Sequence, residues 1–348
     1  ATRNQEDEAQ KRQYCNNSLP SDIPTFKMTL YRYRLIFACL IFLIAPRRMT
    51  IGLADAAASA SYTLSGSKAQ MPKVGLGVYR AEPGEETYQA VRWALEVGYR
   101  LVDTAAMYDN EKDVGRAIAD SGIPRSDIFI TTKLDTDSHG YHTALEEAQN
   151  CLDRLGTDYV DLLLIHSPFG EKIVETWDAL VKLQKEGKVK NIGVSNFGIK
   201  NLEALQEHDR IMPAVNQIEM HPLIYQEREE LVEYCKKHNI IITAYGSLFS
   251  GYAERFDDEV LQSLAEKYTK SVPQILLRWA LDNGFAVIPK SASSKERLVE
   301  NLNILDFKLS AGEVTTLNRM EGEPLDEYWD PVNDAEIDIG DLSYREEL

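Results

Sequence analysis

Basic charge is in short supply: 38 lysines and arginines face 55 aspartates and glutamates across 348 residues, a formal net charge of −17. Nucleic acid or an anionic membrane as main partner would demand an extended basic surface, so both are set aside, and room is left only for a locally basic pocket. Cysteine is scarce too. Cys15, Cys39, Cys151 and Cys235 form no CxxC pair and keep no regular spacing, so they read as free thiols rather than a zinc site or disulfide framework. The apolar run Leu35 to Ala45 is too short to span a bilayer. A Gly-rich dinucleotide fingerprint is missing as well, because Arg80 stands where the third glycine should follow Gly75-Leu76-Gly77.

What is present suits a large buried core: 44% hydrophobic and 27% charged residues, ordinary values for a globular chain. Residues 1–60 are a different matter. They open on a polar stretch without periodicity, read as a disordered leader. Met28, Arg32 and Arg34 then precede the Leu35 to Ala45 run, so that residues 28–45 resemble a signal peptide, although Pro46 follows directly and the A-x-A patterns near Ala54 to Ala60 lie far downstream. The last four residues, Arg345-Glu346-Glu347-Leu348, loosely resemble an endoplasmic-reticulum retention signal. The expectation is a cytoplasmic protein starting at Met49, with the reticulum lumen as the alternative.

From about Tyr62 short β-branched runs alternate with amphipathic stretches about eight times, the rhythm of βαβ units and a parallel sheet. The expected strands are Val74–Val78, Arg100–Thr104, Ile128–Lys133, Tyr159–His166, Asn191–Ser195, Ala214–Glu219, Ile241–Tyr245 and Ala286–Pro289. Their consecutive apolar residues suit strands covered on both faces. Between them the stretch from Gly84 to Gly98 shows an apolar stripe of Tyr88, Val91, Trp93, Ala94, Leu95 and Val97 and stops at a glycine. Comparable helices are expected to begin at Glu111, Thr143, Val174, Ile199, Glu227, Val272 and Glu296, with two more, Asp258–Tyr268 and Ala311–Met320, beyond the minimal set.

In a barrel of such units, polar groups at the C-terminal ends of strands are placed to do chemistry. Here those ends offer Asp103, Lys133 and His166, with Tyr108 a few residues beyond the second strand. Taken singly, a strand-end lysine is ordinarily a salt-bridge partner and a buried aspartate a helix cap. Together they make an acid catalyst for carbonyl reduction. A free phenol is a poor donor at neutral pH; an adjacent ammonium would lower its pKa, an aspartate would hold the ammonium, and a neutral histidine would hydrogen-bond the substrate oxygen.

From about Met71 to Met320 the chain resembles the aldo-keto reductases, on the stretches GYRLVDTAAMYDNEKDVGRAI, LLLIHSP, NIGVSNF, AVNQIEMHP and VIPKS. The resemblance implies an α/β fold, a (β/α)8 TIM barrel with two extra helices outside the barrel and an N-terminal hairpin, over residues 61–348 with a C-terminal tail. It also implies a catalytic tetrad of Asp103, Tyr108, Lys133 and His166, with Tyr108 as proton donor. Ser195, Asn196 and Gln217 would hold a nicotinamide carboxamide, Tyr245 would stack on the ring, and Gly246, Ser247 and Leu248 would meet the pyrophosphate. Lys290, Ser291 and Arg297 match the residues that take the adenosine 2′-phosphate, which points to NADPH; Asn301 belongs to the same stretch. Arg297 stands one residue further from Lys290 than the family pattern has it, with its spacing to Glu300-Asn301 kept; unless the extra residue bulges out, Glu296 would point at the phosphate and weaken the preference for NADPH.

Specificity belongs to loops at the barrel mouth, where Tyr79, Phe169 and Trp329 are candidate walls of the substrate pocket. The short loop after Tyr245 suggests small or sugar-like carbonyl substrates rather than steroids. His139 and His142, three apart, lack a third metal ligand and read as a solvated loop, and His221 as structural; no metal is expected. A monomer is expected. The rival roles are a nucleotide-binding protein without turnover, which the intact tetrad disfavours, and metal-assisted hydrolysis, which would need more strand-end ligands than His166.

Overall fold

The computed structural model describes residues 60–322, 331–334, 338–340 and 342. The leader, Cys15, Cys39, the 28–45 segment, Trp329 and the last four residues lie outside the described residues. Each of the short β-branched runs forms a strand parallel to its sequence neighbours. In order these are β3 (Leu76–Gly77), β4 (Leu101–Asp103), β5 (Phe129–Leu134), β6 (Val160–Ile165), β7 (Val189–Ser195), β8 (Val215–Glu219), β9 (Ile241–Tyr245) and β10 (Ala286–Val287). Parallel bridges Val74–Val287 and Gly77–Lys290 bring the first strand region back to the last. The Gly75 N–H donates to Val287 O at 2.8 Å and the Val287 N–H to Lys73 O at 2.9 Å, so the sheet closes on itself as a barrel.

The interleaved helices are α1 (Glu85–Val97), α2 (Glu111–Asp120), α3 (Tyr141–Leu155), α4 (Ile173–Lys185), α5 (Ile199–Glu207), α6 (Tyr225–Lys237), α8 (Val272–Asp282) and α9 (Lys295–Leu302). The two extra helices are α7 (Glu259–Tyr268) and α10 (Ala311–Asn318). Start signals in the sequence explain several boundaries. Asp258 caps α7, and Ser271 with Gln274 forms a capping box at α8. Four helices, α3, α4, α6 and α9, begin one or two residues earlier than their periodicity suggests, and at the first two distant groups take up N–H groups of the first turn. The Tyr141 N–H donates to Glu175 Oε1 at 2.9 Å, and the Ile173 N–H to the carbonyl of Asp338 in the C-terminal tail at 2.9 Å. Strand β10 is shorter than expected, ending at Val287.

Side-chain parity along the strands sorts the core into two parts. Val102, Ile130, Leu163, Ile165, Val194 and Ile218 belong to the larger cluster, which the helices cover. Leu101, Phe129, Leu162, Leu164, Val215 and Ile288 form a separate cluster inside the barrel. The hairpin of β1 (Ser61–Thr63) and β2 (Gln70–Pro72) adds Leu64 and Met71 to that interior cluster. The lower interior is thus filled with apolar side chains, and whatever follows on the same parity toward the C-terminal ends is aimed at the mouth.

Closure leaves no space at the seam: a Cβ on Gly77 would fall 2.5 Å from the Ile288 carbonyl oxygen. Gly77→Ala should therefore destabilise the protein by about 1–3 kcal/mol, as overpacking does. Urea unfolding checks this, and an unchanged midpoint would contradict so tight a seam.

Candidate active site

Continuing the interior parity gives the site directly. Asp103 is two residues beyond Leu101, Lys133 four beyond Phe129, His166 two beyond Leu164, and Gln217 two beyond Val215. Lys133 is fully buried and Asp103 is 2% exposed. The Lys133 ammonium has three acceptors: Asp103 Oδ1 at 2.7 Å, the Thr104 carbonyl at 2.8 Å and the Tyr108 hydroxyl at 3.2 Å. Gln217 Nε2 donates to the other Asp103 oxygen at 2.7 Å, so both carboxylate oxygens are engaged. The Tyr108 ring meets His166 edge-on at 5.6 Å between centroids. The four residues expected to act together are brought together.

Tyr108 sits on a short turn, Ala106–Tyr108, rather than on a strand. The turn is anchored by Asn110, buried among neighbours: its Oδ1 accepts from Thr104 Oγ1 at 2.7 Å and its Nδ2 donates to Val78 O at 3.0 Å. Behind it Glu111 accepts from the Thr132 hydroxyl and from Arg154 Nε, the latter at 2.6 Å. Sequence reasoning passed over Thr104, Asn110 and Glu111. The adjacent Asn-Glu ahead of an amphipathic stretch was the available signal for a helix start, but nothing local shows that the pair is buried.

Protonation follows from this packing. Burial drags Lys133 down, yet Asp103 and Tyr108 beside it outweigh burial and leave its pKa raised. Burial pushes the Tyr108 phenol up, and the opposing pull of Lys133 does not overcome it. The expected lowering of the Tyr108 pKa is therefore corrected: the ammonium acts in the anticipated direction, but desolvation of a buried phenolate is the larger effect. His166 is lowered to about 3, first by burial and then by the charge on Lys133. The site thus holds an ammonium, a protonated phenol and a neutral imidazole.

The candidate nicotinamide residues form one connected group. Ser195 Oγ donates to the Gln217 carbonyl at 2.8 Å, Asn196 Nδ2 donates to the His166 carbonyl at 3.0 Å, and the Tyr245 hydroxyl donates to Asn196 Oδ1 at 2.8 Å. Asn196 takes a left-handed φ of 63°, which asparagine tolerates better than most residues. Gly246, at φ 64°, also needs its missing Cβ, which would come within 2.9 Å of Glu219 Oε1 and Ser250 Oγ. Ser247 is buried and Leu248 half-buried.

At the far end of the group Lys290 is exposed and donates to the Arg80 carbonyl, while buried Ser291 donates to Ser294 O at 3.0 Å. Ser294 caps α9, which puts Glu296 and Arg297 together in its exposed first turn. Glu296 is turned back onto the Ser294 hydroxyl at 2.9 Å. Asn301 is buried in α9.

Of the pocket candidates, Tyr79 is 51% exposed, packs its ring 5.0 Å from Tyr108 and lies under the Arg80 guanidinium. Phe169 stands 45% exposed on the Pro168–Gly170 turn. His139 departs from expectation. It is buried, at 6% exposure, with Nδ1 donating to the Glu171 carbonyl at 2.7 Å, while His142 is exposed. The ring fits against Gly170, a contact no local pattern announces. His221 is buried, 3.6 Å from Glu219 and edge-on to Phe249.

A closed parallel barrel with a buried lysine and aspartate and a half-buried tyrosine at its C-terminal mouth suits an oxidoreductase of the barrel type, and comparison with known proteins agrees. The family model "Aldo/keto reductase family" matches residues 73–321. The chain is 46% identical over 252 residues to the 9,11-endoperoxide prostaglandin H2 reductase of Trypanosoma cruzi, covering 72% of this chain and 88% of that protein. It is 44% identical over 251 residues to the glyoxal reductase of Bacillus subtilis, covering 72% and 89%. The crystal structure of a Bombyx mori aldo-keto reductase in complex with NADP superposes with a TM-score of 0.69 at 38% identity, covering 74% of this chain and 92% of that one. The protein belongs to the aldo/keto reductase family.

His166, lowered to about 3, and His139, also lowered by burial, stay neutral in the folded chain where unfolded histidines, with pKa near 6.5, take up protons. Their contribution to stability is full above pH 6.5 and is lost as pH falls through the window from 6.5 to about 3. Urea titrations between about pH 7 and about pH 4 should show that decline, and it should be shallower in His166→Asn. An equal slope in both proteins would count against a buried neutral His166.

Proposed function

We propose that this enzyme is an NADPH-dependent carbonyl reductase that converts a small aldehyde or ketone to the alcohol, with Tyr108 as proton donor. The observation that carries the reading is the Asp103–Lys133–Tyr108 chain of hydrogen bonds beside His166. When bound, the nicotinamide supplies the hydride. The chain's own residues do the rest. Asp103 keeps Lys133 charged and fixed; Lys133 stabilises the negative charge left on the Tyr108 oxygen as its proton passes to the substrate oxygen; neutral His166 donates a hydrogen bond to that same oxygen. A raised phenol pKa keeps Tyr108 protonated at neutral pH, and the lysine lowers the cost of the transfer itself.

The residues fit such a cofactor. Ser195 Oγ spends its hydrogen on Gln217 O and one lone pair on Asn196 Nδ2 at 3.1 Å, which leaves its other lone pair to accept from an amide NH2. Half-buried Tyr245, held by its hydroxyl to Asn196, suits a stacking partner. Gly246 adds no side chain of its own to the loop expected over the pyrophosphate, and Lys290 and Arg297 are exposed cations suited to a phosphate monoester, with Glu296 occupied by Ser294. In this reading residues 61–348 act as one barrel with its tail, as a monomer, in the cytoplasm or, as the alternative, in the endoplasmic-reticulum lumen. The glyoxal reductase relative supports small dicarbonyls as substrates; the prostaglandin endoperoxide relative is the reason to include a larger compound in any panel.

NADPH oxidation with glyoxal should be lost by about 10²-fold or more in Tyr108→Phe, the scale of general acid catalysis, with NADPH binding retained. The wild type should use NADPH in preference to NADH. Binding without turnover in both proteins would favour a nucleotide-binding role, and equal use of the two cofactors would remove the assignment of Lys290 and Arg297 to the 2′-phosphate.

A further inference from the structure

The turn joining β6 to α4 carries His166 at its start and Phe169 at its crest. It contains two adjacent non-glycine residues in the left-handed region, Glu171 (φ 60°) and Lys172 (φ 46°). Such conformations persist only where the surroundings over-determine them. Two groups from outside the turn do so. One is the C-terminal tail, whose Asp338 and Ile339 carbonyls accept from the Ile173 and Glu175 N–H groups at 2.9 and 3.2 Å, just past the turn.

The other is His139, from the loop after β5. Because its Nδ1 lies 2.7 Å from a carbonyl oxygen, that of Glu171, Nδ1 carries the proton and donates. Burial keeps the ring neutral, so Nε2 is an acceptor; it is buried and without a hydrogen-bond partner among the described residues. The ring lies so close to the turn that a Cβ on Gly170 would come 2.4 Å from its Nδ1. The His139 carbonyl is itself tied to Thr143 Oγ1 at 2.7 Å, which fixes the ring to the start of α3. His166 Nδ1 is likewise buried and without a hydrogen-bond partner among the described residues, as is Nδ1 of His221 after β8. Among the described residues no side chain bonded to that nitrogen sets the orientation of His166, which leaves its backbone placement to do so.

We propose that His139 is a positioning residue for carbonyl reduction. By donating to Glu171 and packing flat on Gly170, it fixes the turn that presents His166 and Phe169 to the substrate. It acts through the turn, not on substrate or cofactor. The assignment rests on the reductase reading above, in which His166 binds the substrate oxygen.

The test compares His139→Ala, His139→Asn and Gly170→Ala with the wild type, using glyoxal and NADPH. His139→Ala should raise KM for glyoxal roughly tenfold, because small misplacement of a binding group is costly, with a smaller change in kcat. NADPH affinity, followed by fluorescence, should stay at the wild-type value. His139→Asn, whose amide can still donate to Glu171, should recover most of the lost KM. Gly170→Ala, which drives a methyl group into an intact His139 ring, should raise KM in the same way and decides the matter if His139→Ala does not fold. A normal KM in the variants of an active enzyme, an asparagine variant no better than alanine, or an NADPH affinity that falls in step with KM would overturn the assignment. A wild type that turns over no carbonyl compound would overturn the reductase reading, and this assignment with it.

Discussion

A lysine ammonium with no exposure to water is the constraint around which this barrel is organised. Burying a charge is expensive unless it is paired and its hydrogen-bonding capacity is met. Lys133 meets both conditions through Asp103, the Thr104 carbonyl and the Tyr108 hydroxyl, and Gln217 in turn completes Asp103. Four structural elements are thereby tied to one charge. Such a pair is weak evidence for stability, since an apolar replacement of the same shape is often as stable. Its value is chemical: it holds a positive charge beside a phenol in a place where water cannot screen it.

The pair also shows how burial and charge compete in the same few ångströms. Burial alone would discharge Lys133, and Asp103 prevents that. For Tyr108 the balance goes the other way: the phenolate's desolvation outweighs the lysine, and the hydroxyl keeps its proton. At His166 burial and the charge on Lys133 act in the same direction, and the ring remains neutral. One pocket therefore holds a charged ammonium, a phenol that keeps its proton and a neutral imidazole side by side.

The scaffold delivers these groups by parity. Leu101, Phe129, Leu164 and Val215 fill the interior, and the residues two or four further along the same strands are Asp103, Lys133, His166 and Gln217. The apolar lower layers and the polar upper layer are successive levels of one stack of side chains. Rigidity of the lower layers, sealed by Leu64 and Met71 of the hairpin, is what gives the upper one its fixed geometry.

The alternation of β-branched runs with amphipathic stretches determined by itself that the strands are parallel and that helices cover them, because each pattern has one stable way to bury its apolar face. Asp103, Lys133 and His166 were legible for the same reason: they end apolar runs, and the end of a barrel strand is a defined place. Tyr108 was legible only through its stretch of motif, since a turn has no period. What the tertiary structure alone decided are the quantities that depend on neighbours distant in sequence. The exposure of His139 is one, since it depends on Gly170, which has no side chain to signal a contact. The early start of α4 is another, because its cap comes from a carbonyl at position 338. The direction of the Tyr108 shift is the third: the sequence supplied the lysine, but only packing set how much water was removed from the phenol, and desolvation was the larger effect.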